Sequence, residues 1–127
     1  MGAPRNDKIE IGHTRTCTCP DKHINCLTPK EWLKYQVGVW QFNYVKGDVR
    51  DKELHPAAFP LALARRCIEL FSHRGELVLD PFVGSGTTLL AARECGRNAV
   101  GLDLKAEYAA LANARLDEAG ASNDGAH

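Results

Sequence analysis

A chain of 127 residues has room for one domain with a modest core, and its 16 basic and 16 acidic side chains cancel to leave no net charge. That balance disfavours an autonomous nucleic-acid binder, whose hold on phosphates comes from a basic surface, so any grip on DNA is expected to come largely from a partner. Five cysteines without a secretion signal argue against a disulfide framework, and the longest apolar stretch, residues 57–64, is stopped by Arg65 and Arg66, so no membrane segment is expected. The expectation is a soluble cytoplasmic protein.

Residues 1–16 carry no periodic apolar pattern and read as a flexible lead-in. Cys17, Cys19, His23 and Cys26 then follow as C-x-C-x3-H-x2-C, a ligand set of the type and number that tetrahedral zinc prefers, although the spacing is not a common finger spacing. The alternative is a polar loop with thiols and no metal. Thr28, Pro29 and Glu31 have the form of a helix start, with a threonine cap, proline at the first helical position and glutamate three residues after the cap. Trp32, Tyr35, Gln36, Val39 and Trp40 continue at helical spacing, predicting an amphipathic helix that buries its aromatic rings.

Pro56 and Pro60 bracket the entry to a second helix, in which Leu61, Ala64, Ile68 and Phe71 recur at helical intervals and Cys67 packs as a small apolar group. Residues 76–82 have the length and composition of a buried parallel strand, 87–95 of a crossover helix, 98–104 of a second strand and 105–118 of a closing helix. The small, polar residues that end the chain are expected to be disordered. The organisation predicted is a lead-in over 1–27, an α/β unit over 28–118 and a tail over 119–127.

Between the first strand and its helix stands Asp80-Pro81-Phe82-Val83-Gly84-Ser85-Gly86-Thr87-Thr88. A glycine turn from strand into helix brings bare backbone N–H groups close to a ligand and reads as a nucleotide-type cofactor site. It is not a Walker phosphate loop, because Gly86 occupies the position before Thr87 where that loop has lysine. Asp80 ends the first strand and faces the cleft. Asp103 ends the second, about twenty residues past the turn, the spacing at which an acid meets a ribose diol. A charge at the start of the following helix is the other reading of Asp103.

The run D-P-F-V-G-S-G-T-T resembles motif I of the DNA amino-methyltransferases that modify adenine N6 or cytosine N4 with S-adenosylmethionine (SAM). His55-Pro56-Ala57-Ala58-Phe59-Pro60 resembles motif X of the same family, and Gly101-Leu102-Asp103-Leu104 its motif II. The order X, I, II is similar to the C-terminal part of a β-type enzyme, of the kind found in restriction-modification systems. The resemblance implies a partial Rossmann-like SAM-dependent methyltransferase sheet, strand-helix-strand-helix preceded by helices. It implies that His55, Phe59, Pro60, Asp80, Pro81, Phe82, Gly84, Ser85, Gly86, Thr87, Thr88 and Asp103 form the cofactor site, with Asp80 toward the methionine end of SAM and Phe59 and Pro60 near the sulfonium.

The [D/N/S]-P-P-[Y/F/W] loop that presents the target base in this family is absent, since no Pro-Pro dipeptide occurs in the chain. No catalytic residue is therefore assigned. The expected arrangement is a SAM-binding subunit or fragment completed by a complementary chain carrying that loop, or by self-association, and meeting DNA through the assembled complex. Two alternatives stay open: a non-catalytic SAM-binding or assembly module, and a small zinc-stabilised interaction module.

Overall fold

The computed structural model describes residues 17–19, 23–44 and 58–123. Its elements are α1 (Pro29–Tyr35), α2 (Leu61–Phe71), β1 (Leu77–Asp80), α3 (Thr87–Glu94), β2 (Asn98–Gly101) and α4 (Ala106–Asn123). β1 and β2 pair in parallel, with Leu77 opposite Asn98 and Asp80 opposite Gly101. The strand-helix-strand-helix order expected from the residues is thus present. Both strands stop short of their predicted ends, β1 at Asp80, where the chain enters the glycine turn, and β2 at Gly101, ahead of the segment that leads to α4.

The core is small and lies on one side of the sheet. Ala64 and Ile68 of α2 meet Ala91, Ala92 and Cys95 at and beyond α3, and Val78 and Ala99 pack against them from the strands. Alanines at this contact let the two helices approach closely. Burial, with Glu69 nearby, pushes the Cys95 thiol up. On the opposite face no described element packs over the strands, and Leu77 is 65 %, Leu79 62 % and Val100 44 % exposed. A parallel sheet is ordinarily covered on both faces.

The front of the chain departs from its predicted form. The capping box forms as read: Glu31 N–H donates to Thr28 Oγ1 and Thr28 N–H to Glu31 Oε2, holding the Glu31 carboxyl below its usual range. The helix nevertheless ends at Tyr35 and buries no residue. Trp40 lies beyond it, with its Nε1–H on the Tyr35 carbonyl at 2.8 Å. The rings of Tyr35, Phe42 and Trp40 instead surround the Arg66 guanidinium at 4.2, 5.1 and 5.6 Å. Cation–π attraction to α2 replaces the expected apolar helix face, because one positive charge accommodates three rings from an irregular segment as well as from a helix.

At the other end α4 runs on to Asn123, past the point at which a disordered tail is expected. Arg93 of α3 explains the extension, since it donates to the Leu116 carbonyl at 2.6 Å and lies against Gly120. Residues 124–127 lie outside the described residues, as do 1–16. Among the described residues no helix is long and apolar enough to cross a membrane.

Candidate cofactor site

The turn between β1 and α3 is tied to the end of β2 by backbone alone. Leu102 N–H donates to the Asp80 carbonyl and Val83 N–H to the Leu102 carbonyl, both at 2.9 Å, and Gly86 N–H closes the turn on the Val83 carbonyl. Residues 83–87 are all buried, whereas Pro81 and Phe82 project into solvent. Asp80 caps the turn's start, accepting the Phe82 N–H at 3.0 Å.

Glycine is required at 86 for two reasons. Its φ of +82° is left-handed, and a Cβ there would stand 2.7 Å from the Ala112 Cβ and 2.9 Å from its Cα. Gly86 is the N-cap of α3, and no side chain caps that helix. The helix thus opens on a residue with no side chain of its own, the chemistry that suits an incoming carboxylate. Thr87 is buried, with its hydroxyl turned inward.

The inward group is Arg115 of α4, only 8 % exposed. Its Nη1 donates to the Ser85 carbonyl at 2.7 Å, to Ser85 Oγ at 3.1 Å and to Thr87 Oγ1 at 3.2 Å. Sequence reasoning missed this residue. The available signal was its position three residues after Ala112, which places both on the same side of α4. Arg115→Met, which keeps the stem but removes the donors, is expected to lower the unfolding free energy by about 1–3 kcal/mol by stranding a buried carbonyl. Urea titration followed by circular dichroism measures this, and an unchanged midpoint would show that the brace contributes nothing.

Asp103 stands at the mouth of the turn. Its Oδ2 accepts the Gly84 N–H at 3.0 Å and its Oδ1 the Lys105 N–H at 2.9 Å just before α4. Both oxygens of this carboxylate thus hold backbone N–H groups, one in the turn and one just before α4. Pro60 is buried as the N-cap of α2, and Phe59 and Thr88 line one open apolar groove of about 550 Å³ with Leu63, Cys67, Phe71 and Leu77. His55 lies outside the described residues. Of the sequence-assigned positions, those from Asp80 to Thr88 form one continuous turn with Asp103 against it.

A second constellation sits at the front of the chain. The sulfur atoms of Cys17, Cys19 and Cys26 all lie within 4.8 Å of one another, and none of the five cysteines is in a disulfide. His23 Nε2 is 3.5 Å from Cys17 Sγ.

Comparison with known proteins places this geometry in a family. The chain is 40% identical over 79 residues to the type II methyltransferase M.HpaI of Haemophilus parainfluenzae, covering 62% of this chain and 25% of that protein. It is 38% identical over 99 residues to the DNA adenine methyltransferase YhdJ of Escherichia coli K12, covering 78% and 34%. Among solved structures it is similar to the putative DNA modification methylase TTHA0409 of Thermus thermophilus complexed with S-adenosyl-L-methionine, with a TM-score of 0.57, 40% identity, and 71% of this chain and 33% of that chain covered. The chain thus spans about a quarter to a third of the length of these relatives. The partial sheet is accordingly the fold of a SAM-dependent methyltransferase in part. Residues 3–114 match the model of the N6/N4 DNA methylases, and the chain belongs to that DNA methylase family.

Proposed function

We propose that this chain is the SAM-binding part of a DNA amino-methyltransferase acting on adenine N6 or cytosine N4, active when a complementary chain or segment supplies the Pro-Pro-aromatic loop. The observation that carries the reading is the turn from Asp80 to Thr88, uncapped at α3, braced by Arg115 and faced by Asp103. The uncapped end of α3 favours the SAM carboxylate, Asp80 its amino group, and Asp103 the ribose hydroxyls. Bound SAM supplies an electrophilic methyl group on a sulfonium. The residues of this chain hold that cofactor and exclude water from one side of it. They do not include the acceptors that orient the target amine, which requires a base turned out of the helix.

The bare face of β1 and β2 supports completion by further structure, because Leu77, Leu79 and Val100 stand exposed on a sheet of parallel strands. DNA is met through the completed assembly, since the isolated chain has no net positive charge. A zinc ion on the front cysteines belongs to this reading as a structural group and not as a reactant.

The experiment is to incubate the purified chain with radiolabelled SAM and duplex DNA, with and without a complement carrying the missing loop, after calorimetry has measured SAM binding in each case. Weak SAM binding alone, tighter binding with the complement and labelling only in its presence are expected. Labelling by the isolated chain would overturn the need for completion. Binding without labelling in any combination would favour the non-catalytic SAM-binding module.

A further inference from the structure

We propose that Cys17, Cys19, Cys26 and His23 hold one zinc ion that acts as a clasp, fastening the front of the chain to the amino-terminal ends of the two strands. This rests on the zinc assignment above and goes beyond it by giving the ion a place and a task.

The three sulfurs are spaced close to ligands sharing one ion, and His23 stands beside Cys17 as the fourth group. Zinc–sulfur bonds of about 2.3 Å and a zinc–nitrogen bond of about 2.05 Å at tetrahedral angles put sulfur about 3.8 Å from sulfur and about 3.5 Å from nitrogen. The three sulfurs lie within 4.8 Å of one another, and His23 Nε2 is already 3.5 Å from Cys17 Sγ. Three thiolates cannot gather there without a cation to offset their mutual repulsion. Coordination replaces the three thiol protons, which leave to solvent.

The histidine must also exchange roles. Its Nδ1 now accepts the Cys26 N–H at 3.2 Å, which puts the ring proton on Nε2. Ligation through Nε2 releases that proton, and Nδ1 takes one up and becomes a donor. The Cys26 amide must then give up this contact.

The task follows from what the knuckle touches. Cys26 Sγ accepts the Arg74 N–H at 3.3 Å, in the turn between α2 and β1. Asn25 Nδ2 donates to the Leu70 carbonyl, and the Asn25 carbonyl accepts from Arg97 Nη2 at 3.3 Å. Arg97, 7 % exposed and one residue before β2, also donates to the Ser72 carbonyl at 2.6 Å and the Cys95 carbonyl at 2.6 Å. These contacts gather the exit of α2, the exit of α3 and the start of both strands, the end of the sheet opposite the glycine turn. Asn25 and Cys26 take left-handed φ values of 50° and 67°, unfavourable for residues with a Cβ, and a bound ion would hold that turn against relaxation.

The test uses the full chain purified under reducing conditions without chelator. Elemental analysis is expected to give one zinc per chain, and cobalt substitution to give the intense tetrahedral thiolate spectrum. Stripping the metal should speed amide exchange at Arg74 and slow it at Cys26, while residues 84–87 keep their protection. Cys17→Ser with Cys26→Ser should lose the ion, and His23→Ala should alter the cobalt bands. No stoichiometric metal, or a disulfide among the three cysteines under these conditions, would overturn the zinc assignment itself. Stoichiometric zinc whose removal leaves Arg74 exchange unchanged would overturn the clasp alone. An unaltered cobalt spectrum in His23→Ala would overturn the four-ligand set.

Discussion

Gly86→Val is expected to destabilise the chain by about 2–6 kcal/mol and to abolish SAM binding. Two costs combine. A β-branched residue at a φ of +82° costs about 1–3 kcal/mol, and forcing a Cβ to within 2.7 Å of the Ala112 Cβ and 2.9 Å of its Cα displaces α4 at a similar cost. The obstruction is helix backbone and the root of a side chain, so no rotamer change relieves it. A small domain has roughly 5–15 kcal/mol in hand, so the loss is a large share of the total. Moving α4 also moves Arg115, whose Nη1 holds the Ser85 carbonyl at 2.7 Å, so the turn loses its brace as well as its shape. Gly38 supplies the control, because a Cβ added there meets nothing within 4 Å, and Gly38→Ala should leave the urea midpoint nearly unchanged. A Gly86→Val chain that unfolds at the wild-type midpoint and binds SAM normally would remove the close approach of α4 from any account of the site.

The legible parts of this chain are those whose physics is local. The apolar run into Asp80, the two glycines and the helix after them specify strand, turn and helix within a dozen residues, and the structure places them so. The capping box at Thr28 and Glu31 is likewise a short-range device and forms as read. What escaped sequence reasoning depends on residues far apart in the chain. Arg66 meets Tyr35, Trp40 and Phe42 across α2, Arg115 reaches back 30 residues to Ser85, and Arg97 reaches 72 residues to Asn25. Arginine on a helix reads as a solvated charge unless its acceptors are known, and those acceptors are mostly backbone carbonyls that leave no mark in the sequence. The strands end early for a related reason: side-chain pattern predicts which residues are apolar, whereas the ladder stops where the chain turns away from its partner.

Asp103→Ala is expected to weaken SAM binding by roughly 5- to 150-fold, the equivalent of about 1–3 kcal/mol for a lost charged hydrogen bond. The carboxylate has two tasks, and the experiment must separate them. One is internal: Oδ2 holds the Gly84 N–H at 3.0 Å and Oδ1 the Lys105 N–H at 2.9 Å, shaping the turn and the start of α4. The other is the proposed contact with the ribose hydroxyls. A loss of affinity alone could arise from either, since a distorted turn also binds poorly. An analogue of S-adenosylhomocysteine lacking one ribose hydroxyl resolves the two through a double-mutant cycle. If Asp103 accepts from that hydroxyl, the wild-type chain discriminates against the deoxy analogue and the Asp103→Ala chain does not, so the two losses fail to add. If the carboxylate only shapes the turn, both chains discriminate equally and the losses add within a few tenths of a kcal/mol. Asp80→Ala serves as reference, because Asp80 is assigned to the methionine end and should leave ribose discrimination intact while lowering affinity by a comparable factor. Equal discrimination in wild type and Asp103→Ala, measured by calorimetry on protein completed with its complement, would leave Asp103 as a brace for the turn and require another ribose anchor.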